Sequence, residues 1–176
     1  TMSEQNATKV NQLLKLLDDT TLVSSRWLRK HGYASNLVAR YVASGWLVSP
    51  ARGVYQRAGG KLRWEGVVNT LQMMEALPMH VGGRFALVWQ GHEHFFRLGD
   101  AATVTLYGTT RLPGWVGKLV LPERFDYRGR GPFNNPASDF ATTAEERLRA
   151  RGLNHVTITA GTKPVVMAMV ERAMLE

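Results

Sequence analysis

Val10, Leu13, Leu14 and Leu17 recur at the 3.6-residue period, so the chain begins with an amphipathic helix whose apolar stripe needs a cover. Val23, Ser24 and Leu28 have the spacing of a hydrophobic staple around a serine N-cap. That predicts a helix from about Ser25 to His31-Gly32, where glycine takes the left-handed stop without a side-chain clash. A second helix, capped by Ser35, runs to about Ser44 and stops at Gly45. Two β-prone runs follow, Trp46-Leu47-Val48 and Val54-Tyr55. They are separated by Ser49-Pro50-Ala51-Arg52-Gly53, where proline presets the turn and glycine permits positive φ. Three helices and a tight hairpin in this order predict a winged helix-turn-helix over residues 1–60, with the hairpin as the wing.

Ala58-Gly59-Gly60-Lys61 interrupts the pattern and marks a domain boundary. Beyond it, Trp64, Val67, Val68, Leu71 and Met74 to Leu77 predict a helix that ends before Pro78. A short helix from Arg84 to Gln90 and a strand over Thr103 to Tyr107 come next, with shorter strands at Lys118 to Leu121 and Phe125 to Arg128. Gly129 to Thr143 is rich in Gly, Pro and Asn and reads as a mobile surface loop before a polar helical turn at Ala144 to Ala150. No repeat is visible. The expected class is α+β, with the winged module followed by a mixed α/β domain over residues 61–176.

The second helix of the pair carries the functional signal. Leu37, Val38, Tyr41 and Val42 fall on one side of its period, and Ser35, Asn36, Ala39, Arg40 and Ala43 on the other. A small, polar and basic face suits a DNA major groove, because Asn and Arg pair bidentately with adenine and guanine edges. An ordinary solvated helix face has the same look. The flanks favour the groove: Arg26 and Lys30 on the preceding helix, and Arg52 and Arg57 on the hairpin, put positive charge where phosphates would lie. Tyr41 belongs to the buried side, with a hydroxyl in reach of a phosphate from the helix end. Trp27, Trp46 and Tyr55 read mainly as packing between helices and wing.

Charge sharpens this division. Residues 1–64 hold ten Lys and Arg against three Asp and Glu, and the rest twelve against eleven, so nearly all of the net +8 sits in the first third. Basic patches also serve membranes and acidic proteins, but no apolar run approaches the roughly 20 residues that span a bilayer, and no signal peptide opens the chain. A cytoplasmic protein is expected. The absence of cysteine excludes disulfides and thiol catalysis.

The sequence also resembles a known family. Trp27-Leu28, His31-Gly32-Tyr33, Leu37, Arg40-Tyr41, Ser44-Gly45-Trp46-Leu47 and Arg52-Gly53-Val54-Tyr55 are similar to segments of the AbiEi-type antitoxins, as are His80-Val81-Gly82-Gly83-Arg84, Leu106-Tyr107-Gly108 and Leu112-Pro113-Gly114-Trp115. The likeness recurs at Glu171-Arg172-Ala173 with Leu175-Glu176. It implies a member of a type IV toxin–antitoxin system of phage defence (abortive infection). Its N-terminal winged helix-turn-helix would repress its own operon through promoter inverted repeats. Its second domain would counteract a nucleotidyltransferase toxin without a stable complex. The sequence stops at Glu176 inside an amphipathic pattern, where the family continues, so a truncation or a short variant is expected.

Catalytic and ligand signals are sparse. His92-Glu93-His94 would aim two imidazoles to one side of a strand and begin a metal site if His80 joined, but no metal-binding spacing completes it. Gly161-Thr162-Lys163 lacks the preceding glycine of a phosphate loop. Val81-Gly82-Gly83-Arg84 reads either as a tight turn or as a backbone nest for an anion. The chain is therefore read as non-catalytic, with no cofactor. Two other functions share its basic surface: a stand-alone transcriptional regulator with a ligand-sensing second domain, and an RNA- or ribosome-associated protein.

Overall fold

The computed structural model describes residues 2–92, 103–129, 133 and 143–176. Its first elements run α1 (Met2–Leu16), β1 (Leu22–Ser24), α2 (Ser25–Lys30), α3 (Ser35–Ala43), β2 (Leu47–Ala51) and β3 (Val54–Arg57). The three strands form an antiparallel sheet in the order β1-β3-β2. Val10 and Leu13 of the first helix, with Leu17 just beyond its end, close over Leu28, Leu37, Val38 and Tyr41, as the period-3.6 pattern requires.

Strand β1 was not apparent in the sequence, because three residues are too few to show an alternation. The strand still obeys one. Val23 packs into the cluster of α1, α2 and α3, whereas Leu22 belongs with Val54, Trp64 and Leu71 in a second cluster. The small sheet is thus a wall shared by two cores. The glycine link at 58–61 passes beside this wall rather than hanging free: a Cβ at Gly60 would lie 2.9 Å from the Asp19 carbonyl and the Gln56 side chain.

The second cluster is built by α4 (Trp64–Asn69), a π-helical turn (Thr70–Met74), β4 (Met79–Val81), α5 (Gly83–Trp89), β5 (Thr103–Gly108), a 3-10 turn (Val116–Lys118), β6 (Arg124–Arg128), α6 (Glu145–Arg149), β7 (Leu153–Val156), β8 (Val165–Ala168) and α7 (Val170–Ala173). The sheet order is β6-β5-β4-β8-β7, with parallel pairs β5-β6 and β4-β8 and antiparallel pairs β4-β5 and β7-β8. The helix expected from Trp64 to Leu77 is therefore broken by the π turn, after which Ala76 takes φ +51. The strand expected at Lys118 to Leu121 is instead the end of the 3-10 turn and unpaired extended chain. Strands β4 and β8 are central and buried along their whole length, so neither shows the alternation that marks a half-buried strand. Most of the expected 129–143 loop, and Glu93 and His94, lie outside the described residues.

One polar cluster organises this half. The fully buried Glu176 carboxylate accepts from His80 Nε2 at 2.8 Å, from Arg172 Nε at 2.7 Å and from the Gly83 N–H at 3.2 Å. The Tyr107 hydroxyl donates to its main-chain oxygen at 2.8 Å. The Gly82-Gly83 segment is thus both the turn and the anion nest of the two sequence readings, and its anion is the chain's own side chain. A Cβ on Gly82 would overlap that carboxylate, at 1.9 Å. Burial pushes Glu176 up, but the hydrogen bonds and charges of His80 and Arg172 outweigh it and hold the carboxyl below its ordinary range. Lys163, from the discounted phosphate-loop pattern, donates to the Leu16 carbonyl at 3.0 Å instead.

Candidate nucleic-acid interface

Ser24 caps α2 through its hydroxyl oxygen, which accepts from the Trp27 N–H at 3.0 Å. Val23 and Leu28 are both buried in the same cluster, as a staple demands. Gly32 takes φ +81 and turns the chain into α3. There the expectation needs correction: the N-cap of α3 is Ala34, with no side-chain cap, and Ser35 is the first helical residue. Its hydroxyl is left at the surface rather than spent on the backbone. Gly45, at φ +73, ends the helix as anticipated.

The helix divides as its period predicts. Leu37, Val38 and Tyr41 are buried, and Ser35, Asn36, Ala39, Arg40 and Ala43 are exposed. Val42 departs from the pattern at 37% exposure, because it lies at the margin of the buried stripe. Tyr41 is 5% exposed and packed in the core, as its place on the buried side predicts, and burial raises its hydroxyl pKa. Trp46 also departs: at 49% exposure it stands out from the start of the hairpin, beside the exposed Val48, instead of filling the space between helices and wing.

The hairpin tip is tied to the start of α2. The Ser25 N–H donates to the Gly53 carbonyl at 2.9 Å, and Gly53 takes φ +87 in the turn after Arg52. This bond brings the exposed Arg52 to the same end of the module as the exposed Arg26, a meeting that no sequence spacing announces. Lys30 is exposed at the other end of α2. Arg57 is set apart: it ends β3, paired in register with Leu47, and its guanidinium lies 3.6 Å from the Asp19 carboxylate, which offsets its charge.

Two residues beyond the sequence expectation join this surface. Lys9 of α1 reaches over the α2–α3 turn and donates to the Gly32 carbonyl at 3.2 Å. His31 stacks on Trp27 with ring centroids 3.7 Å apart, its Nδ1 2.8 Å from the Trp27 carbonyl. The i, i+4 spacing of that pair was legible in the sequence; the position of Lys9 required knowing how α1 crosses the turn.

The family model described as "Transcriptional regulator, AbiEi antitoxin N-terminal domain" matches residues 6–98, just over half of the chain. The chain belongs to that AbiEi family. A search of the curated proteins finds no match. The AbiEi regulator match extends from within α1 past α5, so it takes in the shared wall and part of the second core as well as the basic module. Among the described residues no helix is long and apolar enough to cross a membrane, and no group of three or more His, Cys, Asp and Glu could hold a metal ion. Membership makes this a regulator of the antitoxin kind.

Proposed function

We propose that residues 1–60 act as a winged helix-turn-helix that reads operator DNA, and that the protein is an autorepressing antitoxin. The single observation that carries this is the exposed face of α3: Ser35, Asn36, Ala39 and Arg40 are turned to solvent, while its apolar face is locked into the core. Asn36 and Arg40, with Ser35, read base edges, while Arg26, Lys30 and Arg52 hold phosphates and set register. Arg57 contributes less, being offset by Asp19. A single module of this size covers limited DNA, so two copies occupy an inverted repeat with half-sites roughly 34 Å or a multiple apart. Residues 61–176 form the domain that antagonises a cognate nucleotidyltransferase toxin without a stable complex. The role is that of a cytoplasmic binding protein of a type IV phage-defence system, not of an enzyme.

The test compares Arg40→Ala with Arg52→Ala on a duplex that the wild type selects from a random pool, and on random duplex. Arg40→Ala should cost about 1 to 3 kcal/mol on the selected duplex only, whereas Arg52→Ala should weaken both and flatten the salt dependence by about one unit. Equal losses for Arg40→Ala on both duplexes would remove it from the reading face.

One observation favours the ligand-sensing alternative. A groove of about 500 Å³ between the 112–121 segment and the start of β6 is lined by Leu112, Val116, Leu119, Leu121 and Phe125. The charged Glu123 and Arg124 also line it, and a small molecule that bound there and changed operator affinity would make the second domain a sensor.

A further inference from the structure

The Ser24 hydroxyl at the start of α2 is held by a residue from outside the first sixty. Ser24 is 4% exposed, and its hydroxyl, besides capping Trp27, donates to the Glu75 carboxylate. Ser24 is also the last residue of β1, in register with Val54, and the next residue bonds the hairpin tip through Gly53. One hydroxyl therefore sits where β1, the first turn of α2 and the tip carrying Arg52 converge.

Glu75 is delivered there by an irregular segment. Its N–H donates to the Thr70 carbonyl at 2.9 Å, the i→i+5 bond of the π turn. Thr70 Oγ1 accepts from the Leu22 N–H at 2.9 Å and donates to the Gly66 carbonyl at 2.8 Å, so Thr70 and Glu75 both face β1. In an α-helix, residues five apart point roughly 140° away from each other. The widened turn closes much of that gap. Between them Gln72 is committed to the other sheet, donating to Met79 and Val166 and accepting from the Val166 N–H. The left-handed Ala76 then returns the chain toward β4. The segment costs both a non-standard turn and a positive φ on a residue with a Cβ.

We propose that Glu75 is a positioning residue of the DNA interface, acting through Ser24 to set Arg26 and Arg52 against the reading face of α3. This rests on the DNA-reading role proposed for α3. The proposal makes a prediction opposite in sign to simple electrostatics. Glu75 is an anion beside a cationic surface, so as a mere charge its removal should tighten binding to every duplex.

The experiment uses the full chain and the duplex that the wild type enriches from a random pool. Kd on enriched and random duplex is measured at several salt concentrations for Glu75→Ala and Glu75→Gln, with thermal unfolding and amide exchange at Trp27. Glu75→Ala should lose roughly tenfold of the enriched-to-random ratio, the order of one hydrogen bond to a charged group, with random-duplex affinity unchanged or tighter. Its Trp27 amide should exchange faster. Glu75→Gln keeps an oxygen for the Ser24 hydroxyl and should hold the ratio within about twofold of wild type. If Glu75→Ala does not fold, Glu75→Asp, one methylene short of Ser24, carries the same expected loss. An unchanged ratio in a folded Ala or Asp variant, or a Gln variant as impaired as Ala, overturns the proposal. A wild-type chain that enriches no duplex overturns the reading beneath it as well.

Discussion

Replacing Glu176 with alanine would remove the buried carboxylate that His80, Arg172 and Gly83 share. Three donors lose their acceptor together: His80 Nε2, Arg172 Nε and the Gly83 N–H. Arg172 is 5% exposed, and its Nε would lose the carboxylate it donates to at 2.7 Å. Breaking a buried pair from one side costs about 3 to 5 kcal/mol, most of it from the stranded charge. Arg172 keeps its bond to the Arg151 carbonyl at 2.6 Å and its position over the Phe133 ring, which places the expectation near the lower figure, about 3 kcal/mol. For a chain of this length that corresponds to a fall in Tm of roughly 6 to 12 °C. Glu176→Gln preserves shape and one acceptor oxygen but sets an amide N–H₂ against one of the donors, so about half that loss is expected. Urea unfolding and calorimetry at pH 7.5 would measure both. DNA affinity, measured well below the transition, should be unchanged because the variant does not touch α3. A Glu176→Ala protein within about 0.5 kcal/mol of wild type would refute the reasoning, since three buried donors cannot lose a shared acceptor that cheaply.

His80 gives a pH signature. Burial lowers its pKa from 6.5, opposed by the Glu176 hydrogen bond and charge, so the unfolded chain takes up a proton below pH 6.5 that the folded ring refuses. Stability should therefore rise with pH between 5.5 and 7.5, by at most about 1.4 kcal/mol from this group, and the rise should be missing from His80→Gln; a parallel curve for that variant would exclude His80 as its source. Glu176, held below its ordinary 4.5, acts in a separate window: its contribution is complete above that value and lost as the pH falls through the folded pKa, so Glu176→Gln should lose less stability than wild type on acidification below pH 4.5. Ala76→Gly should relieve the left-handed strain at φ +51 and raise stability by about 0.5 to 1 kcal/mol in urea titrations, and a loss of stability would show that the Ala76 methyl is doing more than tolerating its backbone.

The first sixty residues were legible because their signals are local. A staple and cap at Val23, Ser24 and Leu28 and glycine stops at 32 and 45 each act within a few residues of chain, and each stands where the sequence placed it, whereas the hairpin turn is shorter than expected: Ser49, Pro50 and Ala51 belong to β2, and only Arg52-Gly53 turn. The outward face of α3 follows from period alone, which is why the exposure of Asn36 and Arg40 is legible in the sequence. Trp46 was misread by the same logic: residue type argued for burial, and nothing nearby in sequence reveals that the fold offers it no cover.

What local signals could not carry is long-range partnership. Glu176 reaches across 96 residues to His80, Glu75 across 51 to Ser24, and Lys9 across 23 to the turn at Gly32, and no periodicity encodes such meetings. Strands β4 and β8 escaped for a related reason, since a strand covered on both faces loses the alternation that would betray it. The amino-acid order by itself thus determined which helix presents a polar, basic face and that Gly45 stops it, because turn chemistry and helical period are properties of neighbouring residues. Tertiary structure alone decided which cations stand together beside that face and which anion holds the second core, because those depend on how separate elements cross in space.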